Sequence, residues 1–344
     1  MDTFNLSILI VILMVGLFDF TNGFHDAADM VATAIASHLM SPALAISIVS
    51  IFTFIAPFVV GLTVADTVGT FINIRGTSQH TAQSVVIGAL LAAICFNLAT
   101  WWLGYPSSSS NSLAGGLVGA GLYAVGTEKI NWGINSLTSG HLEGLMKVVV
   151  GLFASPFMGF LIGFFVMKAF IALFKRLTIK ANKWLKYSQY FSIAWLGFSH
   201  GANDAQKGMA IIGMMLLASG KNQLFDIPTW AIFWCASAIT LGTLFDGWRI
   251  IKTLGYKLFR VTPVHSVANQ IGAAIVNTLA TSIGAPTSTT QVVTATLLGN
   301  GAAKKPLHVK WKTALGILSV WWVNIPATII LGWLFCFIYN SLWS

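Results

Sequence analysis

The chain has 344 residues, of which 56% are hydrophobic and 8% are charged, and its mean hydropathy is +0.78. This composition excludes a soluble globular domain, because such domains carry about 25% charged residues. The formal net charge is +9, but 13 of the 19 lysines and arginines fall in three short segments, 175–186, 249–260 and 304–312. Clusters of this kind are typical of cytoplasmic loops between membrane spans and argue against a nucleic-acid-binding surface.

Apolar segments near 20 residues long recur along the whole chain, and each can cross a hydrocarbon core of about 30 Å as a helix. Each half contains one span with a Gly shortly before an acidic residue, so we expect helix breaks near Asn22 and near Gly201. Two weaker segments, 107–127 and 287–300, each follow a Pro turn. The clear spans are predicted at about 4–38, 42–64, 81–103, 143–171, 188–218, 229–246, 263–283 and 313–340.

If both weaker segments cross, the chain has about ten spans, five in each half, and all three basic segments lie on the cytoplasmic side. An odd number of spans per half inverts the second half relative to the first. We therefore predict an all-α polytopic membrane protein with two inverted-topology repeats, broken helices, and Pro-, Ser- and Thr-rich hairpin turns at a central site. The N-terminal repeat is expected at 1–171, a basic cytoplasmic linker at 172–187 and the C-terminal repeat at 188–344. Both termini are expected outside the cytoplasmic membrane.

An acidic motif occurs once in each half, as Asn22-Gly-Phe-His-Asp26 and as His200-Gly-Ala-Asn-Asp204, with the two acids 178 positions apart. A charged side chain inside a span costs at least about 2.5–3.5 kcal/mol, so such residues mark ion pathways. Backbone groups freed at a broken helix would add ligands beside the carboxylate. The predicted cation site comprises Asn22, Asp26, Asp29, Asn203 and Asp204.

Histidines also lie inside these motifs and titrate near neutral pH, so His25 and His200 are candidates for proton coupling. The alternative is a polar role that holds the local helix structure. Pairing of Asp204 with Lys207, three residues later, is likewise kept open as a structural alternative to cation binding. Three further acids near predicted span ends are interpreted as interfacial: Asp19, Asp66 and Asp246.

A Gly-x-Pro turn followed by four hydroxyl residues occurs twice, at Pro106 and Pro286, 180 positions apart. One hydroxyl suffices to cap a helix, and four at membrane depth favour an oxyanion site at a helix N-terminus. Asn97 and Asn277 each precede the Pro by nine residues and offer donors and acceptors. Carboxylates beside an anion require cations, so the sequence predicts a cation-coupled oxyanion symporter. The predicted oxyanion-binding residues are Asn97, Ser107, Ser108, Ser109, Ser110, Asn277, Thr287, Ser288, Thr289 and Thr290.

The motifs NGFHDAAD, NLATWWLGYPSSSS, FSHGANDAQKG and GAPTSTTQ span both halves, and there the chain resembles the PiT family of inorganic phosphate transporters. It is similar above all to bacterial low-affinity phosphate permeases. The resemblance implies one phosphate site at the repeat interface, coupling to sodium or protons, and a homodimer. The chain departs from the family at Asn111 and Gln291, where bacterial members often have His, and at Asp29, where the usual residue is Asn.

Two other functions stay open at this point. One is a sulfate or other oxyanion permease on the same scaffold. The other, more remote, is an intramembrane metal-dependent enzyme, suggested by Asp26-Ala-Ala-Asp29 but weakened by Lys207 where a second acid pair is needed. No prosthetic cofactor is predicted. The expected partners are inorganic phosphate, the lipid bilayer and a coupling cation, sodium or a proton, with a divalent metal carried with phosphate as an open variant.

Overall fold

A computed structural model describes residues 3–74, 76–174, 181–220, 224–245 and 248–343. Over these residues the chain forms thirteen α-helices, which confirms the predicted all-α fold. A π-helical segment, Thr253–Lys257, extends the tenth helix. In chain order the helices are α1 (Thr3–Ala36), α2 (Pro42–Val59), α3 (Thr63–Thr70), α4 (Gln79–Leu103), α5 (Ser109–Ala124), α6 (Ile134–Thr138), α7 (Gly144–Phe174), α8 (Ala181–Ala218), α9 (Thr229–Thr243), α10 (Trp248–Lys252), α11 (Pro263–Ser282), α12 (Thr289–Lys304) and α13 (Trp311–Trp343).

Five helices of the described chain are long and apolar enough to cross a membrane, namely α1, α2, α4, α7 and α13. The most apolar stretches of α7 and α13 are only 28% buried within the protein. Their outer faces carry large apolar side chains such as Phe157, Phe165, Trp322 and Ile330, each at least 64% exposed. Lipid covers such surfaces at no cost, so the prediction of a polytopic membrane protein is confirmed. The count of ten spans stays a prediction.

The helices of the two halves exchange packing partners. The first helix of each half packs on the second helix of the other half, since α1 contacts α9 and α8 contacts α2. The last helix of each half likewise packs across, α7 on α12 and α13 on α5. This exchange brings the break between α4 and α5 beside the break between α11 and α12. The Ser110 hydroxyl donates to the Thr287 carbonyl oxygen at 2.6 Å, so the two breaks meet inside the protein.

The helix breaks predicted near Asn22 and near Gly201 are wrong. Helix α1 runs without interruption through the first acidic motif, and α8 runs through the second. Gly23 lies against the backbone of α9 at Ile239, and Gly201 lies against the backbone of α2 at Thr53. Small residues at helix contacts in membranes allow such close backbone approach. A continuous helix also keeps its backbone groups hydrogen-bonded, which the membrane interior requires.

The two hydroxyl-rich turns are the true breaks in the helices, as predicted. Helix α4 ends at Gly104, which has a φ of 73°, and Gly284 follows α11 with a φ of 69°. This left-handed conformation ends a helix readily at glycine and is strained for other residues. The chain is extended at Ser108 and Ser288 before the next helix starts. Each hairpin therefore presents a helix N-terminus to the protein interior.

Two of the three basic segments lie at the same end of the molecule. The backbone N–H of Lys310 donates to the carbonyl oxygen of Leu258 at 2.9 Å, which joins segments 249–260 and 304–312. The predicted linker 172–187 includes residues outside those described. At its two edges α7 continues to Phe174 and α8 begins at Ala181.

The substitution Gly23→Ala is expected to destabilise the protein, because the added methyl group meets the backbone of α9, which cannot rotate away. Overpacking of this kind typically costs about 1–3 kcal/mol. Gly316→Ala on α13 is the matched control, since nothing lies within 4 Å of the added Cβ. The measurement is the melting temperature of detergent-purified protein. Equal melting temperatures for the two variants would contradict the close contact between α1 and α9.

Candidate functional site

All of the residues predicted for ion binding are buried where the two halves meet, and none is more than 4% exposed. Helices α1 and α8 carry the acidic motifs, and the starts of α5 and α12 carry the hydroxyl groups. The asparagines come from α4 and α11. The buried set is Asn22, His25, Asp26, Asp29, Asn97, Ser107, Ser108, Ser109, Ser110, His200, Asn203, Asp204, Asn277, Thr287, Ser288, Thr289 and Thr290.

Helices α5 and α12 point their N-termini at this common region. The second hydroxyl of each turn is a helix cap: Ser108 accepts from the N–H of Asn111 at 3.0 Å, and Ser288 from the N–H of Gln291 at 3.3 Å. The other N–H groups of a first turn have no partner within the helix, and the helix dipole gives that end a partial positive charge. Two such ends side by side repel each other unless negative charge lies near both.

The third hydroxyl of each turn bonds to the acidic motif of its own half. Ser109 Oγ donates to Asn22 Oδ1 at 2.6 Å. Thr289 Oγ1 lies 3.2 Å from His200 Nδ1. Asn22 and His200 occupy corresponding positions in the two motifs, as Ser109 and Thr289 do in the two turns. The same contact is therefore made twice with different side chains.

The first hydroxyl residue of each turn also contacts the acidic motif of its own half. Ser107 Oγ lies 3.3 Å from His25 Nε2, and the backbone N–H of Thr287 donates to Asn203 Oδ1 at 3.0 Å. His25 and Asn203 also correspond between the motifs. Both histidines predicted for proton coupling thus lie against the hydroxyl-rich turns, where they help to hold the hairpins in place.

The asparagines of α4 and α11 lie behind the turns. Asn277 Oδ1 accepts from the Thr287 hydroxyl at 3.2 Å, and its Nδ2 donates to Thr289 at 3.3 Å. Asn97 Oδ1 lies 3.2 Å from the Ser112 hydroxyl oxygen. The Nδ2 group of Asn97 has no hydrogen-bond partner among the described residues. A buried amide donor in this state suits an anion, because an unpaired buried polar group costs about 1–3 kcal/mol.

The fourth hydroxyl of each turn crosses to the opposite half. Thr290 Oγ1 lies 2.7 Å from Asp26 Oδ1 and 2.5 Å from Asp29 Oδ2. Ser110 Oγ accepts a hydrogen bond from Lys207 Nζ. A polar side chain of each half therefore bonds to the fourth hydroxyl of the other half, and both halves form the site.

Asp26 and Asp29 in the first half lie close together and have too few hydrogen-bond donors for their carboxylate oxygens. Thr290 has a single hydroxyl hydrogen, so it can donate fully to only one of Asp26 and Asp29. The other oxygen of Asp29 has no hydrogen-bond partner in the described part of the chain. Two carboxylates around one hydroxyl repel strongly in a buried setting. The arrangement calls for a proton or a small cation at this place.

The second-half acid, in contrast, has a resident counter-charge. Lys207 Nζ bonds to Asp204 Oδ1 and to Ser110 Oγ, and it donates to the Thr287 carbonyl oxygen at 2.8 Å. The other oxygen of Asp204 accepts from Thr289 at 2.6 Å. The ion pair considered from the sequence as an alternative for Asp204 is therefore present.

Two overlapping groups of side chains have the geometry to hold a cation. One is His25, Asp26 and Asp29, and the other is Asp26, His200 and Asp204, with one ligand atom per residue and all ligand atoms in a group within 4.8 Å of one another. Asp26 belongs to both groups. His200 Nδ1 lies 2.9 Å from Asp204 Oδ2 and 4.0 Å from Asp26 Oδ2, which links the two acidic motifs.

Asn324 is among the polar residues that support the site and that sequence reasoning missed. Asn324 on α13 donates to the carbonyl oxygen of Ser108 at 2.8 Å, and its Oδ1 accepts from Ser112 at 3.0 Å. It therefore fixes the capping residue of α5. An asparagine in the middle of a long apolar span was the available signal.

The interfacial assignment of Asp19 is wrong. Its carboxylate is completely buried beside Gly208 and faces the Cys235 thiol, which is a weak donor. The reason is that α1 is continuous, which places Asp19 in the middle of a 34-residue helix. Asp66 is exposed on α3, and Asp246 lies outside the described residues.

Asp19→Asn is expected to raise the melting temperature of the purified protein. A buried carboxylate that faces a weak thiol donor carries a penalty of several kcal/mol, and the amide removes the charge at nearly the same size. Asp66→Asn is the control, since an exposed substitution usually changes stability by less than about 0.5 kcal/mol. A lower melting temperature for Asp19→Asn than for the control would show that the carboxylate has a stabilising partner.

Comparison with known proteins gives concordant results. A model of the phosphate transporter family matches residues 22–332. The chain is 37% identical over 339 residues to a probable low-affinity inorganic phosphate transporter of Bacillus subtilis (strain 168), covering 98% of each chain. It is 37% identical over 317 residues to a protein of the same description from Rhizobium meliloti (strain 1021), covering 92% of this chain and 91% of that one. A solved structure titled the sodium-dependent phosphate transporter shares the fold, with a TM-score of 0.82 at 21% identity over 97% of this chain and 99% of that one.

Proposed function

The chain is a member of the phosphate transporter family, and we propose that it carries inorganic phosphate across the cytoplasmic membrane together with a coupling cation, sodium or a proton. The protein is a transporter and not an enzyme, so the intramembrane-enzyme alternative is set aside. Transport is secondary and active in this proposal, driven by the cation gradient. The similar solved structure is that of a sodium-dependent transporter, which makes sodium the first coupling ion to test.

The meeting of two hydroxyl-lined helix N-termini inside the protein is the observation that carries this proposal. The partial positive charge at the starts of α5 and α12 attracts an anion, and the serines and threonines replace its hydration shell. Asn97 adds a buried amide donor with no other partner in the described chain. Phosphate is therefore proposed to bind between the two turns, with Asn97, Asn277 and the hydroxyl residues 107–110 and 287–290 as its ligands.

The carboxylates next to these turns support cation coupling. A phosphate anion beside Asp26 and Asp29 is repelled unless positive charge enters with it. The single hydroxyl hydrogen shared by these two acids marks the place where that charge is missing. The cation is therefore proposed to bind among the acidic motifs, with Asn22, Asp26, Asp29, Asn203 and Asp204 as candidate ligands.

Proton coupling through the histidines is the alternative form of the same mechanism. His25 lies 3.4 Å from Asp26, and His200 lies 2.9 Å from Asp204. Each imidazole also faces a hydroxyl of the proposed phosphate site. A proton on either ring would then accompany phosphate in place of sodium.

We further propose that the two halves are inverted repeats with ten spans in total and that both termini lie outside. The reciprocal packing of helices between the halves and the shared position of two basic segments support this topology. A homodimer and the carriage of phosphate as a divalent-metal complex remain predictions from the resemblance and the sequence.

Phosphate is favoured over sulfate by the acceptors in the site. Phosphate near neutral pH keeps a P–OH group that donates a hydrogen bond, whereas sulfate has no proton to donate. Asp204 Oδ2 is a buried acceptor beside the proposed phosphate site, 2.6 Å from Thr289 Oγ1. A site that must pair such an acceptor rejects an otherwise similar ligand that lacks the donor.

The proposed function predicts phosphate uptake into proteoliposomes that is driven by an inward sodium gradient or by an inward proton gradient, each imposed separately. A tenfold molar excess of sulfate is expected to leave the initial rate within about twofold, given the missing donor. Empty liposomes and liposomes with dissipated gradients are the controls. Accumulation of sulfate without accumulation of phosphate would overturn the substrate assignment and leave the fold unaffected.

Asp26→Asn is expected to abolish gradient-driven uptake, because the cation loses the carboxylate common to both candidate groups. The measurement is the initial rate of phosphate uptake into proteoliposomes under the cation gradient.

Thr289→Ala is expected to weaken the apparent phosphate affinity by about tenfold or more, since hydrogen bonds to charged groups contribute about 1.5–3 kcal/mol. Ser319→Ala on the exposed face of α13 is the matched control. If both site variants took up phosphate as the wild-type protein does, at equal protein levels in the liposomes, the proposed positions of the cation and phosphate sites would be wrong.

A further inference from the structure

Asp29 and Lys207 occupy corresponding positions in the two halves and carry opposite charges. The acidic motifs are offset by 178 residues, and this offset relates Asp29 to Lys207 as it relates Asp26 to Asp204. The contacts agree with the offset. Asp29 meets the fourth hydroxyl of the opposite half at Thr290, and Lys207 meets the fourth hydroxyl of its opposite half at Ser110. Where one half has an extra acid, the other has a base.

The Lys207 ammonium group is fully satisfied inside the protein. It has three N–H donors and bonds to three acceptors, which are Asp204 Oδ1, Ser110 Oγ and the Thr287 carbonyl oxygen. The side chain is buried, with 1% exposure. These three oxygens form the kind of site that a small bound cation would use. The ammonium group therefore fills a cation position in the second half.

The corresponding place in the first half has no lysine or arginine, and its nearest basic group is the His25 imidazole, 3.4 Å from Asp26 Oδ1. Asp26 and Asp29 share one hydroxyl donor, and Asp29 keeps an oxygen that pairs with nothing in the described chain. Counting Asp26, Asp29, Asp204 and Lys207 gives three carboxylates and one ammonium group. The uncompensated negative charge thus belongs to the first half.

We propose that Lys207 is a built-in substitute for one coupling cation. Only the position at Asp26 and Asp29 then exchanges a free cation, while the second half keeps its positive charge throughout the cycle. The inference rests on the proposed function, because it concerns the number of cations that accompany each phosphate. It assigns Lys207 as the residue that sets this number.

The number of cations coupled to each phosphate depends on whether the positive charge crosses the membrane with phosphate or stays on the protein. A free cation leaves with phosphate and contributes its gradient to uptake, whereas an ammonium group fixed to α8 does neither. Removal of Lys207 leaves Asp204 as a buried carboxylate without a counter-charge, which strongly favours entry of a cation from solution. The variant Lys207→Asn should therefore move one more cation per phosphate than the wild-type protein.

The test measures the cation-to-phosphate stoichiometry in proteoliposomes with the membrane potential clamped at zero. With a tenfold gradient of the coupling cation, one extra cation per phosphate raises the steady-state phosphate accumulation by about tenfold. The Hill coefficient of uptake for that cation should rise by about one. Lys207→Arg, which keeps the positive charge, should retain the wild-type stoichiometry.

The reverse substitution, Asp29→Lys, places a base at the corresponding position of the first half. It is expected to lower the Hill coefficient for the cation by about one and to reduce the accumulation reached under the same gradient by about tenfold. Asp29→Asn is the control, because it removes the same carboxylate without adding a positive charge. If Lys207→Asn is not recovered as folded protein, a cation requirement that Asp29→Asn keeps and Asp29→Lys loses decides the question. Phosphate exchange between the two sides at equal concentrations shows that each variant still binds its substrate.

An unchanged stoichiometry in Lys207→Asn would overturn the inference, as would a folded Lys207→Asn variant that exchanges no phosphate at any cation concentration. The second result would mean that the ammonium group binds phosphate itself. These failures differ from failure of the proposed function. In that case the wild-type protein would show no phosphate uptake under any cation gradient.

Discussion

The absence of water in the membrane interior is the constraint on which the site depends, because every backbone group there needs a partner. The chain satisfies this rule along its long helices and departs from it at two hairpins, after Gly104 and after Gly284. Each hairpin leaves a helix N-terminus inside the protein. Capping by Ser108 and Ser288 satisfies one N–H group at each end and leaves others of the first turn available. The most costly feature of the backbone thus becomes the feature best suited to bind an anion.

The near-repetition of sequence makes the differences between the halves informative. Hydroxyl residues correspond one to one, and so do Asp26 and Asp204. At the next helical turn the correspondence ends, because Asp29 adds negative charge and Lys207 adds positive charge. Asp204 is paired with Lys207 of its own half, whereas Asp26 and Asp29 share the Thr290 hydroxyl of the other half. A duplicated scaffold with unequal charges has two halves that need not do the same work.

Much of this arrangement was predictable from the sequence, since apolar segments give the helices and duplicated polar motifs give the buried site. The wrongly predicted helix breaks near Asn22 and Gly201 came from glycine, because glycine has two structural roles that cannot be told apart in a sequence. Gly104 and Gly284 end helices, while Gly23 and Gly201 sit in continuous helices where another backbone approaches. Only the packing of α1 on α9 and of α8 on α2 separates the two roles. The wrong interfacial assignment of Asp19, which is buried, followed from the same error. The contact of Asn324 with α5 was not predictable, because it depends on a fold that brings distant segments together.

The neutral ligands proposed for the anion suit a carrier that must release what it binds. A lysine or arginine free to contact phosphate would hold it by charge in both conformations of the protein, and transport requires binding weak enough to reverse. The one lysine in this site has all three of its donors used by protein oxygens, so its charge offsets Asp204 and is not free for the anion. In the proposed mechanism, affinity for phosphate comes from hydroxyl groups and helix ends, and these suffice only when a cation offsets Asp26 and Asp29. On that proposal, the dependence of anion binding on the cation couples the two ions, since neither is bound well without the other.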